Sequence, residues 1–73
     1  MNQCKMILQH LEKFGSITDI EAIEKYGVHR LSARIFDLRG KGHGISTEME
    51  IGKNRYGERM VYARYRLERA QNV

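Results

Sequence analysis

From Asn2 to Phe14 the apolar residues Cys4, Ile7, Leu8, Leu11 and Phe14 recur three and four positions apart, which gathers them into one stripe of a helix. Gly15 follows as a residue suited to close that helix in the left-handed conformation. After the short link Ser16-Ile17, Thr18 and Glu21 form a capping-box pattern, the hydroxyl accepting from a first-turn amide and the carboxylate reaching back. Asp19 adds negative charge where the helix dipole favours it. A second helix is therefore expected from about Asp19 to Tyr26, burying Ile20, Ile23 and Tyr26 and ended by Gly27. Beyond the turn Gly27-Val28-His29, a third helix is expected from about Arg30 to Arg39, with Leu31, Ile35 and Leu38 turned inward.

Gly40, Gly42 and Gly44 then break the helical pattern, and the period changes to two. Ile45, Thr47, Met49 and Ile51 alternate with polar residues, as do Val61, Ala63, Tyr65 and Leu67, which predicts two half-buried strands. The glycine-bracketed run Gly52-Lys53-Asn54-Arg55-Tyr56-Gly57 reads as the loop of a hairpin between them. Residues 1–67 make one domain, and Glu68 to Val73 are expected to be a frayed tail. The predicted class is α+β: three helices followed by a two-stranded antiparallel hairpin.

Two short helices joined by a tight glycine-containing turn are the signature of a helix-turn-helix, and a hairpin directly after them is the wing of its winged form. In that arrangement a link such as Ser16-Ile17 often pairs as a minor strand. The geometry suits duplex DNA, because one helix fits the major groove while an adjacent ribbon reaches phosphates or the minor groove. The residues Gly15-Ser-Ile-Thr, Tyr26 to Arg39, Gly44-Ile45, Asn54 to Gly57 and Ala63 to Leu67 resemble a family of small winged helix-turn-helix domains of bacteriophages and prophages. The likeness spans roughly Asn2 to Leu67, and its most specific stretches are the third helix and the wing tip. It implies the fold, a DNA-binding role and a phage or mobile-element origin, without a target site.

Charge sharpens that picture. Of the net +4, residues 1–28 contribute −1, with three Lys/Arg against four Asp/Glu, and residues 29–73 contribute +5, with ten against five. A basic C-terminal two thirds favours a polyanionic partner. Cys4 stands alone, so no internal disulfide forms, which fits a reducing cytoplasm, and on the apolar stripe it reads as a small buried hydrophobe. No apolar run reaches the roughly 20 residues of a membrane span, and no membrane or small-molecule partner is expected. In 73 residues a deep substrate pocket is hard to house. His10, His29 and His43 are far apart without cysteine partners, and Ser16 and Ser32 lack a nucleophile elbow. Gly40 to Gly44 follows a helix, unlike a phosphate loop. Neither catalytic residues, a metal site nor a cofactor is expected.

Helix rotation selects the DNA candidates. With Leu31, Ile35 and Leu38 inward, about 100° per residue turns His29, Ala33 and Phe36 outward, flanked by Arg30, Ser32 and Asp37. The N-terminal part of such a helix enters the groove, so His29, Arg30, Ser32 and Ala33 are the expected contacts to base edges or nearby phosphates, Arg30 suiting guanine and the Ala33 methyl suiting thymine. Arg34 has three open roles: a phosphate, a pair with Asp37, or a stem packed on helix 2. Lys41 in the glycine-rich link is a candidate for a backbone phosphate, and Lys53, Asn54 and Arg55 at the wing tip are candidates for phosphates or the minor groove. Arg59, Arg64 and Arg66 lie on the ribbon, where covering the sheet is an equal reading. Phe36 either folds sideways into the wing or belongs to a protein contact surface. Asp37 either accepts from a cytosine amine or pairs with Arg34 or Arg39.

The expected function is non-catalytic binding of double-stranded DNA by a cytoplasmic phage-type regulator or recombination or replication accessory factor. The alternative is a protein-interaction module that binds a host factor. So small a domain is expected to gain specificity as a homodimer or cooperative array.

Overall fold

The computed structural model describes residues 2–68, in the order α1 (Gln3–Phe14), β1 (Ser16–Thr18), α2 (Asp19–Tyr26), α3 (Leu31–Gly40), β2 (Ile45–Lys53) and β3 (Arg59–Leu67). Local chemistry sets the helix ends. The Asn2 side chain accepts from the Lys5 amide at 2.8 Å, and Gly15, at φ 89°, donates to the Leu11 carbonyl at 2.8 Å. The Thr18–Glu21 capping box forms as expected, each side chain accepting from the other residue's amide, at 3.3 and 3.0 Å. Gly27, at φ 68°, closes α2 and donates to the Ile23 carbonyl at 2.9 Å.

The turn after Gly27 is pinned by Val28, which is fully buried and whose amide reaches the Ala22 carbonyl at 3.1 Å. α3 then buries Leu31, Ile35 and Leu38 against Ile7 and Leu11 of α1, Ile17 of β1 and Ile45 and Tyr65 of the sheet. Each such side chain contributes on the order of 1.5–3 kcal/mol by leaving water. Cys4 is half-buried at the margin of this core.

The inward face of α2 differs from the expected one. Ile20 and Ile23 are 47% and 42% exposed, whereas Ala22 is completely buried. Ala22 and Tyr26, one turn apart, face the core; a methyl group permits close approach, and the Tyr26 hydroxyl lies 2.7 Å from His10 Nδ1. Phe14, placed on the buried stripe by its spacing, is also exposed. As the last residue of α1 it passes the edge of the core and packs against His10 at a tilt of 46°, with ring centroids 4.7 Å apart.

The sheet has three strands in the order β1-β3-β2, all antiparallel, so the expected two-stranded wing gains β1 as a third strand. Ile17 sits opposite Tyr65, and Ile45 opposite Leu67. The ladder continues through Glu68, whose amide donates to the Gly44 carbonyl at 2.8 Å; the rest of the expected tail lies outside the described residues. The strands are not half-buried along their whole length. Ile45 and Tyr65 at the inner end are buried, but Met49, Ile51 and Val61 are 64%, 62% and 56% exposed. Nine-residue strands outrun the helices that would cover them.

Candidate nucleic-acid interface

α3 begins at a corner. Arg30 is its N-cap, at φ −121° and ψ 63°, neither helical nor extended, and no side chain caps the helix there. The positive end of the helix dipole therefore meets solvent beside the exposed Arg30 guanidinium. His29, Arg30 and Ser32 are exposed and Ala33 is half-buried, so these four expected residues do share the first turn and its approach. Buried Val28 and Leu31 on either side fix the direction in which they project.

The second cluster is the hairpin tip. Lys53 and Arg59 are directly opposite each other across the ladder, and Arg55 lies in the turn between them. Like charges facing each other across a hairpin are destabilising, and an anion at the tip relieves the repulsion. The same turn leaves Tyr56 80% exposed. Asn54, expected to contact DNA, is used within the turn. Its Oδ1 accepts from the amides of Tyr56 and Glu58 at 2.9 and 3.0 Å, and its Nδ2 donates to the Glu58 carboxylate at 3.2 Å.

Between the clusters, the ribbon's own arginines are engaged. Arg64 donates through Nε to Glu50 at 2.9 Å and through Nη1 to Ser16 Oγ at 3.0 Å, with Glu21 at 4.0 Å. That hydrogen bond holds the Glu50 carboxyl below its usual range and raises Arg64. Arg66 pairs with Glu48 at 3.2 Å. On α3, Arg34 takes the structural role among its open readings, pairing with Asp37 at 3.1 Å and donating to Gln3 Oε1 at 3.2 Å. Arg39 donates to the Ile45 carbonyl and to Thr47 Oγ1, each at 2.9 Å. By contrast Arg30, Lys41, Lys53, Arg55 and Arg59 make no ion pair among the described residues.

A tight Gly27 turn between two helices and a hairpin after the second form the architecture of one family, whose description, winged helix-turn-helix domain, matches residues 2–70. The chain belongs to the winged helix-turn-helix domain family. No curated protein and no solved structure matches it. In a winged helix-turn-helix domain α3 occupies the recognition position and the β2–β3 hairpin is the wing, so membership points to DNA binding.

Within this winged helix-turn-helix frame the expected site divides. The α3 start holds His29, Arg30, Ser32 and Ala33 together, and the wing tip holds Lys53 and Arg55. Lys41 joins neither cluster: it follows the C-terminal end of α3, about 15 Å along a ten-residue helix from Arg30, beside Asn2 and Lys5. Phe36 does not fold into the wing; at 75% exposure it stands free on the outer face of α3. Arg59 is the cation that reading the ribbon as a sheet cover undervalued. The ladder sets it against Lys53, whereas counting outward from the Gly52–Gly57 bracket pairs Ile51 with Glu58 and misses it.

Proposed function

We propose that this winged helix-turn-helix domain binds double-stranded DNA, with the start of α3 in the major groove and the wing tip on phosphates or in the minor groove. The observation that carries this reading is the division of the cations. Those of the ribbon body are neutralised by glutamates of the same chain, whereas Arg30, Lys53, Arg55 and Arg59 are left without an ion pair among the described residues, at the two places where such a domain meets a duplex. Binding is non-covalent and non-catalytic. The domain acts in the cytoplasm as a phage or prophage type regulator, or as an accessory factor in recombination or replication, by occupying a site and excluding or recruiting other machinery.

Titration of generic duplex DNA at several salt concentrations tests the reading. Four phosphate contacts predict a log-log slope of about −3.6. Absence of binding at low salt overturns it. One observation favours a second reading, a protein-interaction module for a host factor: Phe36 is exposed one turn beyond Ala33 on the same face of α3. Under that reading Phe36→Ala abolishes capture of the partner and DNA affinity is negligible at any salt concentration.

A further inference from the structure

β2 is an edge strand of the sheet, so one side of its backbone has no neighbouring strand among the described residues. The hydrogen bonds at the two ends of the ladder define that side. Asn54 donates to Glu58 at 2.9 Å and Glu68 donates to Gly44 at 2.8 Å. Even-numbered residues from Gly44 to Asn54 therefore turn their amides and carbonyls toward β3, and odd-numbered residues turn theirs away. At Ile45 the outward carbonyl is already taken by Arg39 Nε at 2.9 Å. What remains is a free edge of Thr47, Met49, Ile51 and Lys53, centred on Glu50.

The same positions carry the exposed apolar face. Met49 and Ile51 are 64% and 62% exposed, and Val61, opposite Ile51 on β3, is 56% exposed. Edge strands are normally protected by proline, a bulge or charged side chains, lysine above all. β2 has an unbroken register from Ile45 to Lys53, no proline and a single lysine at its end, and the charges of its central Glu48 and Glu50 are taken up by Arg66 and Arg64.

We infer that β2 pairs antiparallel with β2 of a second copy of this chain about a two-fold axis through Glu50, forming a continuous six-stranded sheet. In this register Met49 lies opposite Ile51 of the second copy and Thr47 opposite its Lys53, so every free edge group finds a partner and Arg39 keeps Ile45. Moving the axis to Met49 sets Glu48 against Glu50 twice and displaces Arg39. Moving it to Ile51 sets Met49 against Lys53. At the chosen axis Glu48 faces Gly52, and the two Glu50 carboxylates that meet are each held by their own Arg64 at 2.9 Å. DNA is a poor occupant of this edge, whose central residues are apolar and which offers only Lys53 as a free cation.

Pairing through one edge strand is expected to be weak and reversible, with a dissociation constant between about 1 μM and 1 mM. One consequence rests on the DNA-binding reading, although the pairing itself does not. The register separates Ile45 of one copy from Ile45 of the other by ten strand positions, about 33 Å, close to the 34–36 Å between half-sites one duplex turn apart. Arg39 ties the C-terminal end of α3 to Ile45, so these two helix ends are carried at that spacing.

Sedimentation velocity of the full chain without DNA, from about 10 μM to 1 mM, is expected to show a reversible monomer–dimer equilibrium. Met49→Lys is expected to remain folded by circular dichroism, since the position is exposed, and to weaken dimerisation at least tenfold. A cysteine on the axis reads the register. In a Cys4→Ser background, Glu50→Cys brings two Cα atoms to about 4.5 Å, within disulfide range, and is expected to cross-link at least tenfold faster than Glu48→Cys. A wild-type chain still monomeric at 1 mM, a dimer indifferent to Met49→Lys, or equal cross-linking by the two cysteines would each overturn the inference. The readouts contain no DNA, so failure here leaves the DNA-binding reading standing, and the reverse also holds.

Discussion

Within one hairpin, the arginines of the strand body and the cations of the tip carry the same charge and meet different fates. Arg64 and Arg66 are held by Glu50 and Glu48, while Lys53, Arg55 and Arg59 have no acidic partner among the described residues. Arg64 also bridges to Ser16 and lies near Glu21, so it ties β1, the start of α2 and β2 together. Net charge thus overstates the DNA-facing charge: the body arginines are structural, and those left over at the α3 start and wing tip are available to a polyanion. The distinction is open to direct attack.

The largest effect is expected from removing the free set. Replacing Arg30, Lys53, Arg55 and Arg59 together by alanine should flatten the salt dependence of DNA binding by about 3.6 log units per log unit of salt, with little change in Tm. Arg64→Ala with Arg66→Ala should leave that slope unchanged. Equal slopes for the two combinations would dissolve the comparison.

Asn54 sharpens it next, because it sits among the free cations and is itself tied. Asn54→Ala leaves the Tyr56 and Glu58 amides without their acceptor, which should cost about 1 kcal/mol in thermal or urea unfolding while the salt slope stays that of the wild type. A lost phosphate contact would show the opposite pattern. Smaller again is the difference between the tied arginines. Arg64→Ala, which removes three partners at once, should lower Tm measurably, whereas Arg66→Ala, at a pair whose side chains are 46% and 49% exposed, should not.

The sequence shows which of these features are local and which are not. The Asn2 start of α1, the Thr18–Glu21 box, the Gly27 stop and the Leu31, Ile35 and Leu38 stripe each involve residues within a turn or two of each other. Spacing alone recovers them. Features that depend on what lies across the core escape such a reading. Ile20 and Ile23 outweigh Ala22 on any hydrophobic scale, yet close packing selects the small residue. Alternation correctly marks β2 and β3 as strands but says nothing of where their helical cover ends, so Met49, Ile51 and Val61 are left bare. The ion pairs are diagonal across the ladder, Glu48 with Arg66 and Glu50 with Arg64, although the residue directly opposite Glu48 is Arg64. Only a known register identifies which cations remain free. At the site, the first turn of α3 was legible because the buried stripe fixes its rotation. The turn bonds of Asn54 were not legible, because a turn-forming asparagine and a DNA-contacting one look alike in sequence.

The smallest expected effect carries the tied-versus-free distinction to the histidines. His10 is 4% exposed and bonded to the Tyr26 hydroxyl at 2.7 Å, whereas His29 is exposed. Burial lowers the His10 pKa below its ordinary 6.5; the Glu21 carboxylate and a hydrogen bond with the Ser16 backbone act against that shift, and Lys25 acts with it. The unfolded chain, with His10 in water, therefore takes up a proton at higher pH than the folded chain does. Stability from the neutral imidazole is fully present above pH 6.5 and is lost as pH falls from there through the lower folded-state pKa. Glu50, held below its ordinary 4.5 by Arg64, acts in a separate and more acidic window. Urea unfolding between pH 7.5 and 5 should show a shallow loss of stability on acidification. His10→Gln should start less stable, because the amide fills the site poorly, and its stability should be nearly flat over the same interval. A slope surviving in His10→Gln would assign the titration to another group and detach His10 from the tied set.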